Sequence, residues 1–394
     1  MPAYGMFVYP WDIPDNTDAF VEKYRTLGCN TIVVNGSYHH CSVPDLRLEK
    51  IYSRRQAGTA FAVNPANYGR LLPKTQEDRT AMYQSLRESC TRAGISLKCW
   101  AVNLHNSTIG EMHPDVCIQN VWDDIYENAL CVNHPEVREY AGALLCDIIR
   151  AVSPESMVLE SISWMPAFHG RHHEFSLAHI TPAIRYLFSL CFCPACVKAA
   201  EKQGIDARAV KVLAKRLLKQ LLRQETTFIE NEQTQLASLW LEYPQLYAYQ
   251  QFRMESVRSL VEQTSKTVHQ MGVHYEYIPL STPFEVNSTS FEGVSYRQTA
   301  PLVDAFVPLV YGEHETFRTC KANIGLFAPD ARVGMAMSLG RGRYTGEADF
   351  TGRVLDATDA GAASIYCYNY GMATEEVLEW VQKAGMVLQA RECD

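Results

Sequence analysis

No run of about 18 apolar residues occurs anywhere in this 394-residue chain, so no membrane-spanning helix is expected. Basic charge is also short. Lys and Arg number 36 against 44 Asp and Glu, and the formal net charge of -8 argues against a nucleic-acid partner, because phosphate binding needs basic surface. The first residues, MPAYGMFVYPWDIPDNTD, lack a basic segment followed by an apolar stretch, so no secretion signal is expected. No glycine-rich phosphate loop follows the first apolar run, which counts against an open dinucleotide-binding sheet.

Cysteine, in contrast, is plentiful. Thirteen are scattered along the chain, and several (Cys99, Cys146, Cys367) fall inside apolar segments. Buried free thiols in a reducing compartment account for that pattern better than a disulfide framework does, and a cytoplasmic location is expected.

Apolar runs of strand length alternate with amphipathic runs of helix length from one end to the other. The strands are read at Ala3–Pro10, Asn30–Tyr38, Ile95–Asn103, Met157–Ser163, Val273–Ser281, Asp304–Glu313, Arg332–Gly340 and Ala363–Gly371. Helices are read from the Asp15–Asp18 cap region to Leu27, over Glu77–Ala93, over His134–Val152 with Pro135 in its first turn, and over Thr374–Gln389. Eight β-then-α units in one chain predict an α/β fold, a (β/α)8 TIM barrel treated as a single domain over residues 1–394. Two connections exceed what a plain barrel needs. One spans residues 38–76. The other, a helical excursion between strands four and five at about 164–272, includes the basic amphipathic run Ala207–Gln224, read as a subdomain helix packed on the barrel rather than a membrane-binding one.

In such barrels the C-terminal strand ends supply the chemistry. Here they carry Trp11 and Asp12; Asn35, Tyr38, His39 and His40; Asn103, His105 and Asn106; Glu160 and Trp164; Ser281 and Thr282; Tyr311, Glu313, His314 and Glu315; Arg341 and Arg343; and Tyr368, Asn369 and Tyr370. Aromatic faces cover the apolar face of a sugar ring, while amides, imidazoles, guanidinium groups and carboxylates bind its hydroxyls. A small carbohydrate is therefore the expected partner. Glycoside hydrolysis needs two carboxyl groups about the scissile bond. Glu160 and Glu313, at the ends of strands four and six, are the expected pair. Trp11, Tyr38, His39, Asn103, His105, Trp164, Tyr311, Arg341, Tyr368 and Asn369 are expected to bind substrate. Glu276 is a further carboxylate, placed mid-strand, and an interior ion pair with Lys98 or an arginine is the alternative role for Glu160.

Glu160 after MVL, the CFCPAC run and the closing YNYG resemble uncharacterised glycoside-hydrolase-like (β/α)8 barrels, in which a CFCPxC segment follows strand four. The resemblance implies a barrel glycosidase that needs no cofactor. Acids on strands four and six are similar to the α-galactosidase and α-glucosidase clan, which uses aspartates. The β-galactosidase-like clan places its nucleophile on strand seven, where VGMAMSLG here has no carboxylate.

The spacing Cys191-x-Cys193-x-x-Cys196 also suits three ligands of a structural zinc, with Cys117, Cys131 or a histidine of the 169–173 loop as the fourth. Two rival functions stand beside hydrolysis. A metal-dependent sugar isomerase, epimerase or lyase would gather a divalent ion with His39, His40, His105, Glu160, Glu313 and His314. A non-catalytic carbohydrate-binding barrel would keep only the aromatic platforms, Trp11, Trp100, Trp164 and the Tyr368–Tyr370 pair. A homo-oligomer is compatible with all three.

Overall fold

A computed structural model of the chain describes residues 1–49, 52–169, 179–223, 232–279, 291–311 and 316–393. Its centre is a ring of parallel strands: β1 (Ala3–Val8), β2 (Thr31–Tyr38), β3 (Ser96–Val102), β4 (Ser156–Glu160), β5 (His274–Ile278), β6, β7 (Met335–Ser338) and β8 (Ser364–Tyr368). The sixth, β6, comes in two pieces, Ala305–Phe306 and Leu309–Val310, because Pro308 has no N–H to give to a ladder. Its first piece pairs with β5 (Tyr277 opposite Phe306) and its second with β7 (Leu309 opposite Ala336). With β8 paired to β1 through Met6 and Cys367, the ring closes. The chain is a (β/α)8 barrel.

Strand periodicity sorts the side chains. Phe7, Tyr9, Val33, Trp100, Val102, Val158, Ile278, Val307, Ala336 and Tyr366 fill the barrel interior. Their chain neighbours, such as Met6, Ile32, Cys99, Met157 and Tyr277, face the outer helices. Those helices include α1 (Thr17–Thr26), α2 (Thr80–Ala93) and α3 (Pro135–Val152). Asn16 caps α1 by accepting from Ala19 N, and Gly94 ends α2 in the left-handed conformation. Gly28, at φ +72°, lies so close to Gly385 that a Cβ on either would meet the other's backbone.

At the N-terminal mouth the interior is polar. Lys98 Nζ donates to Glu276 Oε1 and to Tyr366 OH; Tyr366 OH donates to Glu276 Oε2 at 2.8 Å, and Ser156 Oγ donates to Oε1 at 3.0 Å. Lys98 therefore pairs with Glu276, not with Glu160, and Lys98 is ruled out as the ion-pair partner of Glu160. The reason is register: β3 and β5 flank β4, and Lys98 and Glu276 sit opposite Ser156 and Val158, at the far end of the barrel from Glu160.

The excursion between β4 and β5 holds α4 (Pro182–Phe188), α5 (Pro194–Glu201), α6 (Ala207–Leu222), α7 (Glu232–Glu242) and the long α8 (Pro244–Gln270). They bury a cluster of their own, to which α6 gives Val210, Leu213, Leu217 and Leu218 and α8 gives Leu246, Tyr249 and Phe252. The apolar face of the basic helix is thus spent on packing. Further along α8, Val257, Leu260 and Val261 join the barrel core. Among the described residues no helix is long and apolar enough to cross a membrane. The chain ends with α9 (Phe317–Gly325), α10 (Glu347–Asp359) and α11 (Glu375–Cys393).

Candidate functional site

At the C-terminal mouth, Phe7, Tyr38, Trp100, Glu160, Ile278, Leu309, Tyr311 and Tyr368 surround a cavity of about 150 Å³. Glu160 reaches it because β4 alternates, placing Val158 and Glu160 inward while Met157 and Leu159 face the helices. Glu160 Oε2 accepts a hydrogen bond from Trp100 Nε1 at 3.0 Å. The carboxyl edge meets the cavity, but rings close round the rest. That burial pushes its pKa up to about 7, and the Trp100 bond opposes the shift.

Three phenols meet beside it. Tyr368 OH lies 2.7 Å from Tyr9 OH and 3.1 Å from Tyr38 OH. Burial holds the phenols of Tyr9, Tyr38 and Tyr311 well above the usual range, so they stay neutral donors and acceptors. A larger cleft of about 990 Å³ opens at the opposite mouth, but the two buried charges there, Lys98 and Glu276, are already paired. The smaller cavity has the chemistry.

An imidazole stack leads away from Tyr38. His39 lies 4.0 Å from the Tyr38 ring and stacks on His105 at 4.3 Å and 13°, and His169 meets His105 edge-on at 5.4 Å. Burial lowers the pKa of His39 to about 4 and of His105 to about 2, so both rings are neutral above mildly acid pH. Asn103 is 0 % exposed, and neither its Oδ1 nor its Nδ2 has a hydrogen-bond partner; its backbone N–H donates to Glu160 O at 3.1 Å. Unpaired buried amides are costly and mark places where a ligand or water completes the bonding.

The remaining expected residues lie apart from the cavity lining. Trp11 stacks on Tyr9 at 4.5 Å and donates to Asp45 Oδ2, one layer out. Asn369 uses its Oδ1 to cap the turn at Gly371 N. Trp164 is fully buried against Arg253, donating from Nε1 to Arg253 O at 3.1 Å, and is no wall of the cavity. Arg341 is exposed, pairs with Glu376 and lies over Trp380. Glu313, with His314, Glu315, Ser281, Thr282, His172 and His173, lies outside the described residues. Reading strand ends alone missed Tyr9 and Phe7 as members of this site and offered Trp100 only as a platform of the non-catalytic reading. The signal that finds them is the inward period of two on β1 and β3.

Among the described residues the imidazoles of the rival reading form no convergent ligand group: His39 and His105 stack face to face at 4.3 Å, and His39 Nδ1 is engaged with His40 O. Among the described residues, the one group of three or more metal-ligating side chains with convergent atoms is Cys131, Cys191, Cys193 and Cys196. All four are buried, with every Sγ within 4.8 Å of the others. Cys131 Sγ lies 3.3 Å from Cys196, 3.4 Å from Cys193 and 3.9 Å from Cys191. Tetrahedral thiolates at the usual Zn–S distance stand about 3.8 Å apart, so the four fit a divalent, thiophilic ion with little movement. Cys117 instead directs its sulfur to Gly110 O and His113 O. The thiol cluster pins the loop after β3, which carries Cys131, to the start of α5, where Cys193 is the N-cap.

Neither a protein-family model nor a curated protein sequence matches the chain. Solved structures do. An α-L-fucosidase isoenzyme 2 from Paenibacillus thiaminolyticus is similar with a TM-score of 0.57 at 12% identity, covering 100% of this chain and 50% of that one. A β-galactosidase from Marinomonas ef1 gives 0.58 at 10%, covering 98% and 60%. The catalytic domain of a β-amylase from Paenibacillus polymyxa gives 0.57 at 10%, covering 97% and 98%. The chain spans half to three fifths of the length of the first two. At these identities the likeness is one of fold: the chain has the barrel fold of these glycoside hydrolases.

Proposed function

We propose that the protein is a glycoside hydrolase acting on a small carbohydrate, with Glu160 as general acid. One observation carries this reading: a carboxyl that keeps its proton to about pH 7, held by Trp100 in an aromatic cavity at the C-terminal mouth of the barrel. The protonated Glu160 gives its proton to the glycosidic oxygen as the bond to the anomeric carbon breaks, and the leaving alcohol departs neutral. Glu313 is the proposed second carboxyl, two residues beyond Tyr311, supplying the nucleophile or the base that takes a proton from water. Tyr38, Tyr311 and Tyr368 bind sugar hydroxyls as neutral phenols, and Asn103, His39 and His105 extend that polar wall.

The four cysteines are proposed to hold a structural zinc ion. A coordinatively closed thiolate site supplies folding energy and no open position for substrate, so no step of hydrolysis passes through it. Reduced thiols in that number suit the cytoplasm.

Turnover of a panel of aryl glycosides by wild type, Glu160→Gln and Glu313→Gln, with and without a divalent-ion chelator, tests the proposal. Cleavage that Glu313→Gln abolishes, that Glu160→Gln reduces most on the poorest leaving groups and that brief chelation spares supports it. Activity lost on chelation and restored by a hard divalent ion would favour the isomerase or lyase chemistry instead.

A further inference from the structure

The connection between β2 and α2 is longer than a barrel needs, and proton transfer at Glu160 leaves it without a role. Its first part is a two-stranded hairpin, Cys41–Pro44 against Tyr52–Arg55, with Cys41 opposite Arg55. Its last part is tied to the short strand that follows the hairpin: Thr59 N donates to Lys74 O and Gln76 N to Thr59 O, both at 2.9 Å. Gly58 permits that close approach, since a Cβ there would run into Lys74 O. Between hairpin and return segment lies an open cleft of about 600 Å³, bordered by His40, Arg54, Arg55, Lys74 and Glu77 among others.

The cleft abuts the candidate site. His40 follows the cavity-lining Tyr38 by two residues, and Cys41 packs with Trp11, Tyr311 and Tyr368 against the cluster that fills the barrel interior. The Arg55 guanidinium lies over the Trp11 ring at 4.6 Å; Trp11 stacks on Tyr9 at 4.5 Å, and Tyr9 OH lies 2.7 Å from Tyr368 OH at the cavity wall.

The cleft is also positive. Among the described residues Arg55 has no ion pair and no hydrogen bond; its Nε is buried, so its terminal nitrogens are the ones that reach the cleft. Asp45, nearby in the same loop, accepts from Trp11 Nε1 and Arg47 N instead. Arg54 is exposed, and Lys74 Nζ donates to the neutral Gln56 Oε1. Glu77, the one carboxylate on the border, lies 4.0 Å from Arg79 Nε. Three positive charges thus stand against one negative, in a chain whose net charge is -8. A concave surface of one sign gathers ligands of the other. A guanidinium held flat on an aromatic ring keeps its planar fork free for the two oxygens of an oxyanion.

We propose that this cleft is an oxyanion subsite of the carbohydrate site, in which the Arg55 fork takes a phosphate, sulfate or carboxylate group carried by the sugar and Arg54 and Lys74 add charge, so that the substrate is an acidic glycoside. Trp11 is then the floor that fixes the guanidinium. The inference rests on the hydrolase reading above and adds the charge of the substrate to it.

Calorimetric titration of the full-length protein tests it. The ligands are the phosphate, sulfate and uronic acid forms of gluco-, galacto- and manno-sugars, each beside its neutral parent, together with inorganic phosphate and sulfate. At least one acidic sugar should bind about tenfold or more tightly than its parent, the size of one hydrogen bond to a charged group, and added salt should shrink that preference. Arg55→Gln and Arg54→Gln should each lose most of it; Arg54 is exposed, so its variant disturbs no packing. Arg55→Lys should recover part, because lysine keeps the charge without the fork. Arg216→Gln, on the exposed side of α6, should change nothing. Acidic sugars bound no better than their parents, or a preference that survives both glutamine substitutions, overturns the inference. Inorganic phosphate or sulfate bound as tightly as any acidic sugar overturns it too, as the mark of a free-anion site. The titrations need no turnover. An anion preference in a protein that cleaves no glycoside would keep the subsite and overturn the hydrolase reading, while cleavage of neutral glycosides without that preference would do the reverse.

Discussion

The indole Nε1 of Trp100 donates to Glu160 Oε2 across 3.0 Å, and this bond works against the burial that keeps Glu160 protonated. Trp100→Phe removes the donor and keeps a ring. A hydrogen bond to a charged group is worth about 1.5–3 kcal/mol, which is about one to two pKa units. If Glu160 is the acid, the alkaline limb of kcat/KM is expected near pH 7 in wild type and should move up in the variant. A pH–rate profile checks it; a limb that stays put or falls would show that Trp100 does not set the acidity of Glu160.

Stability should carry opposing pH signatures from the same rim. Glu160 has a folded pKa raised to about 7, so its contribution is full below its unfolded pKa and is lost as pH rises through about 7. His39 and His105 have folded pKa values depressed to about 4 and about 2, so theirs is present above the unfolded histidine value and is lost as pH falls towards those values. His105→Phe keeps a ring in the stack and removes one titration. Urea midpoints at pH 7 and pH 5 should then differ less in the variant than in wild type; an unchanged difference contradicts the neutral-imidazole account.

Tyr368 is the hub of the phenol chain, bonded to both Tyr9 and Tyr38, whereas Tyr9 bonds to Tyr368. Tyr368→Phe should cost more stability than Tyr9→Phe, each lost bond being worth about 0.5–1.5 kcal/mol. Equal costs from denaturant unfolding would show that the hydroxyl chain is not shared.

At the other mouth, Glu276→Gln leaves the Lys98 charge inside the barrel without its anion. Breaking a buried pair by removing one partner costs about 3–5 kcal/mol, and replacing both partners recovers much of it. Lys98→Met with Glu276→Gln should thus be more stable than Glu276→Gln alone, and kcat/KM at a permissive temperature should be unchanged in both. A fall in kcat/KM without a fall in stability would move the working site to the N-terminal mouth.

Much of the barrel was legible because parallel strands under helices must be apolar on both faces, and eight such runs stand out. Six emerge as single strands inside the expected spans and the fourth starts one residue early, at Ser156; the sixth is divided at Pro308, a break that its residue type announces. Glu160 was found because a carboxylate ending an apolar run is rare. Its partner was not legible: Trp100 lies on another strand, and only the β3–β4 register, with Trp100 opposite Val158, brings the indole within reach. Trp164 misled for a physical reason. A large aromatic at a strand end packs under an insertion as readily as it lines a site, and here α8 covers it with Arg253. Three of the four clustered cysteines announce themselves by spacing, while Cys131, 60 residues before Cys191, joins them through tertiary contact alone.

The leaving-group dependence of Glu160→Gln tests the central claim most directly. A general acid matters most when the leaving alcohol is a poor one and least when it departs unaided. For whichever sugar the protein accepts, the variant should lose about 10²- to 10⁴-fold in kcat/KM on alkyl glycosides or disaccharides, and far less on the matching dinitrophenyl glycoside. Equal losses on both substrates, or none on either, would contradict Glu160 as the acid.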